Sequence, residues 1–151
     1  MSRGFLLALF GSLFMFSESL AFIALDLTGK HAIGLGVMQG LGLFLFFIGS
    51  LLHAWSVQVH GRYAVSWAMP EDQKLITAPP YSIVRHPSYL AYMLMIIGVT
   101  LVWRQWFTLL PWVAIPGYYL SSKREEEYLI ERFGDQYREY MKRVGAFIPR
   151  L

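Results

Sequence analysis

The sequence places an Arg-His-Pro step, Arg85-His86-Pro87, directly in front of a long apolar run. Proline is favoured at the first position of a helix because its missing N–H is not needed there. We therefore expect a helix to begin at Pro87, with His86 at its cap. The free N–H groups and the positive end of the helix dipole would then lie beside Arg85 and form an anion site. An anchor at a membrane interface is an equally good interpretation of Arg85 by itself.

Three adjacent acids, Glu125-Glu126-Glu127, are the second group that could do chemistry. A solvated helix face is the ordinary explanation of such a charge run. The carboxylates could alternatively face a cation. An anion site and a carboxylate cluster on the same side of the protein would together suit a zwitterionic ligand with hydroxyl groups, a class that includes S-adenosylmethionine and several lipid head groups. The charges alone do not choose among these ligands.

Three other ionisable residues lie in or beside apolar runs. Glu18 lies inside the first run, where an ionisable group is costly and usually faces a partner or a polar cavity, although neutralisation or snorkelling also accounts for it. His53 and His60 have no carboxylate or cysteine at metal-ligand spacing, so we expect interfacial roles for both and no metal site. The chain has no cysteine, which excludes disulfides and thiolate metal sites.

The glycine-rich stretch from Gly34 to Gly40 superficially resembles a nucleotide-binding loop. That fingerprint requires a preceding strand and a helix that begins at the glycines, and neither is expected here. Gly36 and Gly40 instead form a GxxxG pair, which allows two helices to approach closely. We therefore expect these glycines to pack helices together, and the same face would allow a homodimer.

Apolar helices must position all of these residues. Apolar residues make up 56% of the 151-residue chain and aromatic residues 17%, which is typical of a membrane protein. The composition predicts an all-α, polytopic fold with about four transmembrane helices, and the expected spans are Phe5 to Leu25, Ile33 to Trp55, Ser88 to Trp103 and Trp106 to Leu120. The first two reach the length of about 20 residues that a span needs. The last two are short, and we expect them to form a tight hairpin broken at Arg104-Gln105.

A cleaved signal peptide is the alternative for residues 1–25. Arg3 precedes the apolar stretch, and Ser19-Leu20-Ala21 is a plausible cleavage site. We expect a retained helix, so that residues 1–151 form a single membrane domain.

The basic residues lie mostly on one side of this arrangement. With four spans and both termini on the same side, that side holds eleven Lys and Arg residues, and the other side holds only Lys30 and Arg104. Because loops rich in Lys and Arg stay in the cytoplasm, we expect a multi-pass protein of a prokaryotic inner membrane with both termini cytoplasmic. A basic face of this kind suits anionic membrane lipids and makes nucleic acid a poor candidate partner.

Two polar segments would lie on the cytoplasmic side. The first, Ser56 to His86, contains glycine and several prolines but no sustained helical period, which predicts an irregular loop that can line a site. The second begins in the fourth span and continues as a helix that should leave the membrane and end near Gly134. Asp135 is well placed to cap a short final helix. The segments 56–87 and 121–151 are the expected ligand-binding parts.

Two linked motifs identify a family. The segment LITAPPYSIVRHPSYLAY is followed, one membrane hairpin later, by REEEYLIERFGDQYREYMKRVGAFIP. The motifs and their order resemble the isoprenylcysteine carboxyl methyltransferase family and its phospholipid N-methyltransferase relatives, over the region from Gly49 to Pro149. The resemblance implies an integral membrane enzyme that uses S-adenosylmethionine as methyl donor without a Rossmann domain.

The resemblance also implies site residues. The cofactor pocket of the family is formed by the loop before the Arg-His-Pro step, the start of the next helix and the helix that carries the acids. Carried over by position, its contacts are Ser66, Gln73, Lys74, Leu75, Ile76, Tyr81, His86, Pro87, Ser88, Tyr89, Glu125 and Glu126. The implied catalytic residues are Arg85, His86 and Glu125, with Arg85 holding charge beside the point of transfer.

The methyl acceptor stays open at this point. The isoprenylcysteine enzymes place an Arg one helical turn before the matching Glu, and this chain has Ser121 there, with Lys123 and Arg124 on other faces of the helix. The implied acceptor is a lipophilic molecule that enters from the bilayer. It is either prenylcysteine-carboxylate-like or a related small molecule, or else the amine of a phosphatidylethanolamine-type phospholipid. A non-catalytic four-helix membrane protein that binds anionic lipid is the alternative from another class.

Overall fold

Helices make up the regular structure in the described part of the chain. The computed structural model describes residues 3–29, 34, 36–61 and 74–150. In order, the elements are α1 (Arg3–Leu27), α2 (Val37–His60), α3 (Pro87–Trp103), a 3-10 helix (Trp106–Val113), α4 (Ala114–Phe133) and α5 (Asp135–Arg143). Within these ranges no strand forms, and an isolated parallel bridge joins Val84 to Gly145. The predicted all-α class is confirmed.

The first two helices, α1 and α2, are long and apolar enough to cross a membrane, by length and composition. Helix α3, with 17 residues, is apolar but shorter. Large apolar side chains of α1 and α2 remain exposed, among them Phe10, Leu13, Leu20, Phe44 and Phe47. Exposed apolar patches of this extent are typical of a surface that meets lipid. These features indicate a membrane protein, and the count of four spans stays a prediction.

Helix α2 is displaced along the chain relative to the sequence prediction. It begins at Val37, later than expected, and residues 56–60 continue it where the loop was predicted, until Gly61 ends it with a φ of 58°. The physical reason is that Ser56 is fully buried and its hydroxyl donates a hydrogen bond of 2.7 Å to the carbonyl one turn earlier. A serine that bonds back to its own helix can remain in it. Residues 74–86, which belong to the predicted loop, are irregular, with turns at residues 79–83.

The predicted break in the chain is present, but the segment that follows it is not a single α-helix. Helix α3 ends at Trp103, and Arg104 takes a left-handed conformation with a φ of 51°, so the break at Arg104-Gln105 is confirmed. The predicted fourth span, Trp106 to Leu120, starts as a 3-10 helix that extends to Val113. Pro111 lies inside this stretch and lacks the N–H that a regular α-helical ladder needs.

Helix α4 carries the chain from the predicted span into the acidic segment without a break. It ends at Phe133, and Gly134 follows with a φ of 54°, as the sequence predicts. Helix α5 begins at once. Its first residue is Asp135, and Gly134 occupies the cap position that was expected for Asp135. Because α4 is continuous, the positions of Glu125, Glu126 and Glu127 along the helix and around its axis are fixed relative to its apolar N-terminal half.

Glycines allow the helices to pack in two close pairs. Helix α2 packs on α3, and α1 packs on α4. A β-carbon added at Gly49 would lie 2.8 Å from the Ala91 carbonyl oxygen, and one added at Gly117 would lie 2.6 Å from the Ala8 nitrogen. Contacts this close leave no room for a side chain, so these glycines set the distance between the helices.

The Gly36-Gly40 pair does not pack in this way. Among the described atoms, a β-carbon at Gly40 would meet nothing within 4 Å, and one at Gly36 would meet only its neighbour Gln39. The predicted packing role is therefore not found within the described chain. Close contacts between α2 and α3 are made instead at Gly42, Gly49 and Gly98. The homodimer that the Gly36-Gly40 face would allow stays a prediction.

We expect Gly49→Ala to destabilise the protein and Gly40→Ala to leave it as stable as before or more so. Alanine at position 49 must displace the Ala91 backbone, and overpacking of this kind costs about 1–3 kcal/mol. Replacing an exposed helical glycine by alanine gains up to about 1 kcal/mol. Thermal unfolding of both variants in the same detergent measures the difference. Equal losses of stability in the two variants would contradict the packing described for Gly49.

Candidate active site

The Arg-His-Pro step lies where α3 begins. Pro87 is the first residue of α3 and His86 caps it, as the sequence predicts. The side chains of Arg85 and His86 are buried, and both contact α4 through Glu126. The structure therefore joins the two groups of residues that the sequence singles out.

Glu126 binds both residues of the step through one carboxylate oxygen. Its Oε1 accepts hydrogen bonds from Arg85 Nε at 3.0 Å and Nη2 at 2.6 Å, and from His86 Nε2 at 3.0 Å. Glu126 has only 3% of its surface exposed. A buried carboxylate is costly unless it is paired and hydrogen-bonded, and the guanidinium satisfies both conditions here.

These contacts keep Glu126 ionised. Burial acts to raise the pKa of the Glu126 carboxyl, but the hydrogen bonds from His86 and Arg85, with their positive potential, outweigh it and lower the pKa to about 2. Lys123 adds little, because its Nζ lies 3.8 Å from Glu126 Oε2 and its side chain is 54% exposed. The Arg85–Glu126 ion pair therefore persists at physiological pH.

Glu125 has different surroundings from its neighbour. Its Oε1 accepts a hydrogen bond from the Tyr89 hydroxyl, and its Oε2 lies 3.7 Å from His86 Nδ1. Its side chain is 23% exposed, against 5% for Glu126. Burial raises the pKa of the Glu125 carboxyl; the Tyr89 hydrogen bond and nearby His86 act against this rise, and the charge of Glu126 adds to it. Of these two acids, Glu125 is the one with an edge open to a ligand.

Several groups that were predicted to form the anion site are hydrogen-bonded within the protein. The N–H groups of Arg85 and His86 donate hydrogen bonds to two carbonyls of the C-terminal segment, at 2.8 and 3.0 Å. The Arg85 guanidinium, already bound to Glu126, also donates to two carbonyls at the end of α5. The charge of Arg85 is thus committed to contacts within the fold. The positive end of α3 remains as the feature that attracts an anion.

The loop before α3 is tied to the helices through Tyr81. Its hydroxyl shares a hydrogen bond of 2.7 Å with His60 Nδ1, and its carbonyl accepts one of 2.5 Å from the Tyr140 hydroxyl. Burial raises the pKa of the Tyr81 hydroxyl, so the phenol stays protonated. Tyr81 is therefore fixed between the end of α2 and α5.

The other residues predicted for the cofactor pocket have varied surroundings. Leu75 packs against the buried tyrosines of α5. Ile76, Ser88 and Tyr89 are half-buried, Lys74 is exposed and Pro87 is fully buried. Ser66 and Gln73 lie outside the described residues.

An aromatic ladder, formed by Tyr89, Tyr118 and Tyr92, leads from the acids into the apolar part and was not predicted. Tyr118 of α4 stacks on both α3 tyrosines, with ring centroids 5.4 and 5.6 Å apart. Its hydroxyl shares a hydrogen bond of 2.5 Å with Ser12 of α1, and the Tyr92 hydroxyl lies 3.3 Å from His53 Nε2 of α2. The i, i+3 spacing of Tyr89 and Tyr92, which puts both on one helix face, is the signal that could have indicated it.

Ser121 lies on α4 one turn before Glu125. It is buried, and its hydroxyl has no hydrogen-bond partner among the described residues. The nearby cations have other contacts: Lys123 lies near Glu126, and the Arg124 guanidinium lies 5.9 Å from the Tyr128 ring centroid. Ser121 thus places a neutral hydroxyl in the interior, one turn before Glu125.

Glu18, His53 and His60 lie outside the cluster. Glu18 is buried in α1, and its carboxylate oxygens have no hydrogen-bond partner within the part of the chain that the structure describes. His53 and His60 each contact a tyrosine hydroxyl. No group of three His, Cys, Asp or Glu suited to a metal ion occurs in residues 3–29, 34, 36–61 and 74–150.

Comparison with known protein families decides which family the chain belongs to. Residues 37–136, more than half of the chain, match the phospholipid methyltransferase family. The chain belongs to the phospholipid methyltransferase family. The matched region contains α2, α3 and α4, and with them the Arg-His-Pro step and the acids.

Similar proteins carry a more specific name. Proteins named protein-S-isoprenylcysteine O-methyltransferase occur in Schizosaccharomyces pombe, with 32% identity over 76% of this chain and 51% of the relative, and in Saccharomyces cerevisiae, with 31% identity over 72% and 48%. Protein-S-isoprenylcysteine O-methyltransferase B of Arabidopsis thaliana has 26% identity over 74% of this chain and 59% of its own length. The chain thus spans about half the length of the curated relatives it matches. No solved structure matches it.

Protonation of Glu126 at low pH should lower the stability of the fold. Its pKa is about 2 in the folded protein, below the ordinary value of 4.5, so its contacts contribute stability that is present above about pH 4.5 and is lost as the pH falls towards 2. We expect the unfolding temperature to drop over this window in the wild type and to drop less in Glu126→Gln. Glu127→Gln changes an exposed neighbour and should follow the wild type. An acid dependence that is the same in Glu126→Gln and wild type would show that this carboxylate is not the group responsible.

Proposed function

We propose that this protein transfers a methyl group from S-adenosylmethionine to a lipophilic acceptor at the interface between membrane and cytoplasm. One observation carries the proposal: Glu125, with Tyr89 and His86 against it, lies beside the first turn of α3 in a chain of the phospholipid methyltransferase family. The names of the similar proteins support methyl transfer as the reaction class.

The residues present fit this cofactor, which is zwitterionic and has hydroxyl groups. Glu125 offers a carboxylate with an exposed edge, and the first turn of α3 offers N–H groups and the positive end of a helix dipole. Ser88, half-buried in the same turn, adds a hydroxyl. The other residues that we propose for the pocket in the described part are Lys74, Leu75, Ile76, His86, Pro87 and Tyr89.

When bound, S-adenosylmethionine would supply an activated methyl group on a sulfonium. The protein must align the acceptor and exclude water, and neither task needs a covalent intermediate. Glu126 holds the His86 ring, and Glu125 holds the Tyr89 hydroxyl, so both aromatic side chains are fixed before a ligand arrives. If the acceptor releases a proton, Glu125 Oε2 can accept it, because the Tyr89 bond occupies only Oε1. The raised pKa of Glu125 suits a group that takes up a proton.

We propose a prenylcysteine-carboxylate-like acceptor, or a related small lipophilic molecule, that enters between the helices from the bilayer. The names of the similar proteins support this class. The second candidate is the amine of a phosphatidylethanolamine-type lipid, which the family description supports. Ser121 gives this candidate its own support, because it places a neutral hydroxyl one turn before Glu125, whereas a carboxylate acceptor gains most from a cation.

We propose that the site faces the cytoplasm. If the chain has four spans, eleven of its thirteen Lys and Arg residues lie on the side of the site and the termini. The protein would then be a multi-pass protein of a prokaryotic inner membrane, in contact with anionic lipid head groups. In this arrangement the water-soluble cofactor and the lipophilic acceptor approach the site from different phases.

Calorimetric titration with S-adenosylhomocysteine tests the cofactor. We expect Glu125→Gln and His86→Ala to weaken its affinity by roughly ten- to a hundredfold, because each removes a hydrogen bond to a charged group, worth about 1.5–3 kcal/mol. Glu125→Gln should lose far more affinity than thermal stability. His86→Ala should lose stability as well, because it removes a buried ring that contacts Glu126 and Phe147. Glu127→Gln, the exposed control, should lose neither. Absence of binding heat in folded wild-type protein would instead favour the non-catalytic lipid-binding alternative.

A radiolabelled methyl donor, incubated with the protein and native lipid extract, tests the acceptor. We expect label in the organic phase, and mild base should release it as methanol if the product is a carboxyl methyl ester. Label that resists base would identify an N-methyl product and the phospholipid candidate. Glu125→Gln should lower incorporation of the radiolabel by at least about tenfold, because it removes a charge-assisted hydrogen bond. If wild-type protein binds S-adenosylhomocysteine but labels no lipid-soluble product, a lipophilic acceptor is the wrong class.

A further inference from the structure

The C-terminal strap, defined as Val144–Phe147, returns from α5 to the residues before α3. The Arg85 N–H donates to the Gly145 carbonyl at 2.8 Å, and the His86 N–H donates to the next carbonyl of the strap at 3.0 Å. Phe147 packs on the His86 ring with the ring centroids 5.7 Å apart. The strap and α4 therefore bind the same two residues.

Arg85 links the strap to α4. Its Nε and Nη2 bind Glu126, while its Nη1 donates to the Met141 carbonyl at 3.3 Å and to the Val144 carbonyl. These carbonyls lie at the C-terminal end of α5, where the last four carbonyls of a helix lack partners within the helix. A planar guanidinium can bind groups along two edges at once, which a lysine ammonium cannot do in the same geometry.

Glu126 completes the link by holding His86. An ionised carboxylate can only accept hydrogen bonds, so His86 Nε2 carries the proton in the bond to Glu126, and Nδ1 faces Glu125. The imidazole ring also contacts the rings of Tyr89 and Phe147, at centroid distances of 5.8 and 5.7 Å. One carboxylate oxygen thus fixes a guanidinium and an imidazole, and both of these hold the strap.

We propose that the C-terminal strap is a wall of the cofactor site, and that Glu126 is the positioning residue that latches it there through Arg85 and His86. The inference rests on the function proposed above. It changes the role expected for Glu126, whose side chain is 5% exposed and whose Oε1 already receives three donors, so that it offers little to a ligand. It also adds Phe147 to the residues that line the site beside His86.

Hydrogen–deuterium exchange and calorimetry on the full chain in detergent test the latch. In the wild type, saturating S-adenosylhomocysteine should slow exchange in the strap and in residues 84–86, because ligand binding stabilises the elements that it contacts. Glu126→Gln should speed exchange in both segments and weaken S-adenosylhomocysteine affinity, each by at least about tenfold, because it removes a charge that receives several hydrogen bonds. Glu127→Gln is the matched control and should change neither quantity.

Phe147→Ala tests whether the strap contacts the ligand, because it leaves the Arg85–Glu126 pair in place. It should weaken S-adenosylhomocysteine affinity with little change in the unfolding temperature. Ile148→Ala, at a neighbouring position that is 79% exposed, is its control and should change neither.

Four results would overturn the proposal. Lost affinity in Glu126→Gln with unchanged exchange of the strap would make Glu126 a direct cofactor contact. Unchanged affinity in Phe147→Ala, or faster exchange in Glu126→Gln without any loss of affinity, would make the strap a structural element only. Wild-type protein that binds no S-adenosylhomocysteine would refute the proposed function and the wall together, whereas faster exchange in Glu126→Gln would still support the latch.

Discussion

A single oxygen atom of Glu126 receives two N–H groups from the Arg85 guanidinium and one from the His86 imidazole. The donors are neighbours in the sequence, and the acceptor lies 40 to 41 residues further along the chain. Breaking a buried ion pair by removing one partner typically costs about 3–5 kcal/mol, although the intact pair contributes little net stability compared with apolar packing. The pair therefore matters most because it selects one arrangement of α3, α4 and the C-terminal strap.

That arrangement depends on how closely the helices approach each other. At Gly117 the backbone of α4 lies against α1, and the next residue, Tyr118, stacks on the tyrosines of α3. One turn of α4 thus fixes its distance from α1 and its rotation relative to α3. Glu126 follows Tyr118 by about two helical turns, so that the same rotation directs its carboxylate to Arg85. Apolar packing in one half of the helix therefore positions the charged groups in the other half.

Local signals predicted several of the points where helices begin, break and end, although not the two ends of α2. Pro87 was found through its missing N–H and Gly134 through the positive φ that glycine tolerates. The break at Arg104-Gln105 was found because two polar residues separate two apolar runs. The partner of Arg85 and the return of the C-terminal strap were not predicted, since both depend on contacts between distant parts of the chain. The packing glycines were misjudged for the same reason: Gly36-Gly40 has the motif, but Gly49 faces another helix.

The adjacent acids Glu125 and Glu126 show most clearly what the packing adds. They are identical in chemistry and neighbours in sequence, yet a rotation of about 100° on a helix gives them different partners. Arg85 and His86 lower the pKa of Glu126 to about 2, whereas burial and the charge of Glu126 raise the pKa of Glu125. Environments that push the pKa values of two acids apart are how one site separates a fixed charge from a group that exchanges protons. Because the charge of Glu126 is one cause of the raised pKa of Glu125, the ion pair that holds the strap also tunes the carboxylate that stays open to a ligand.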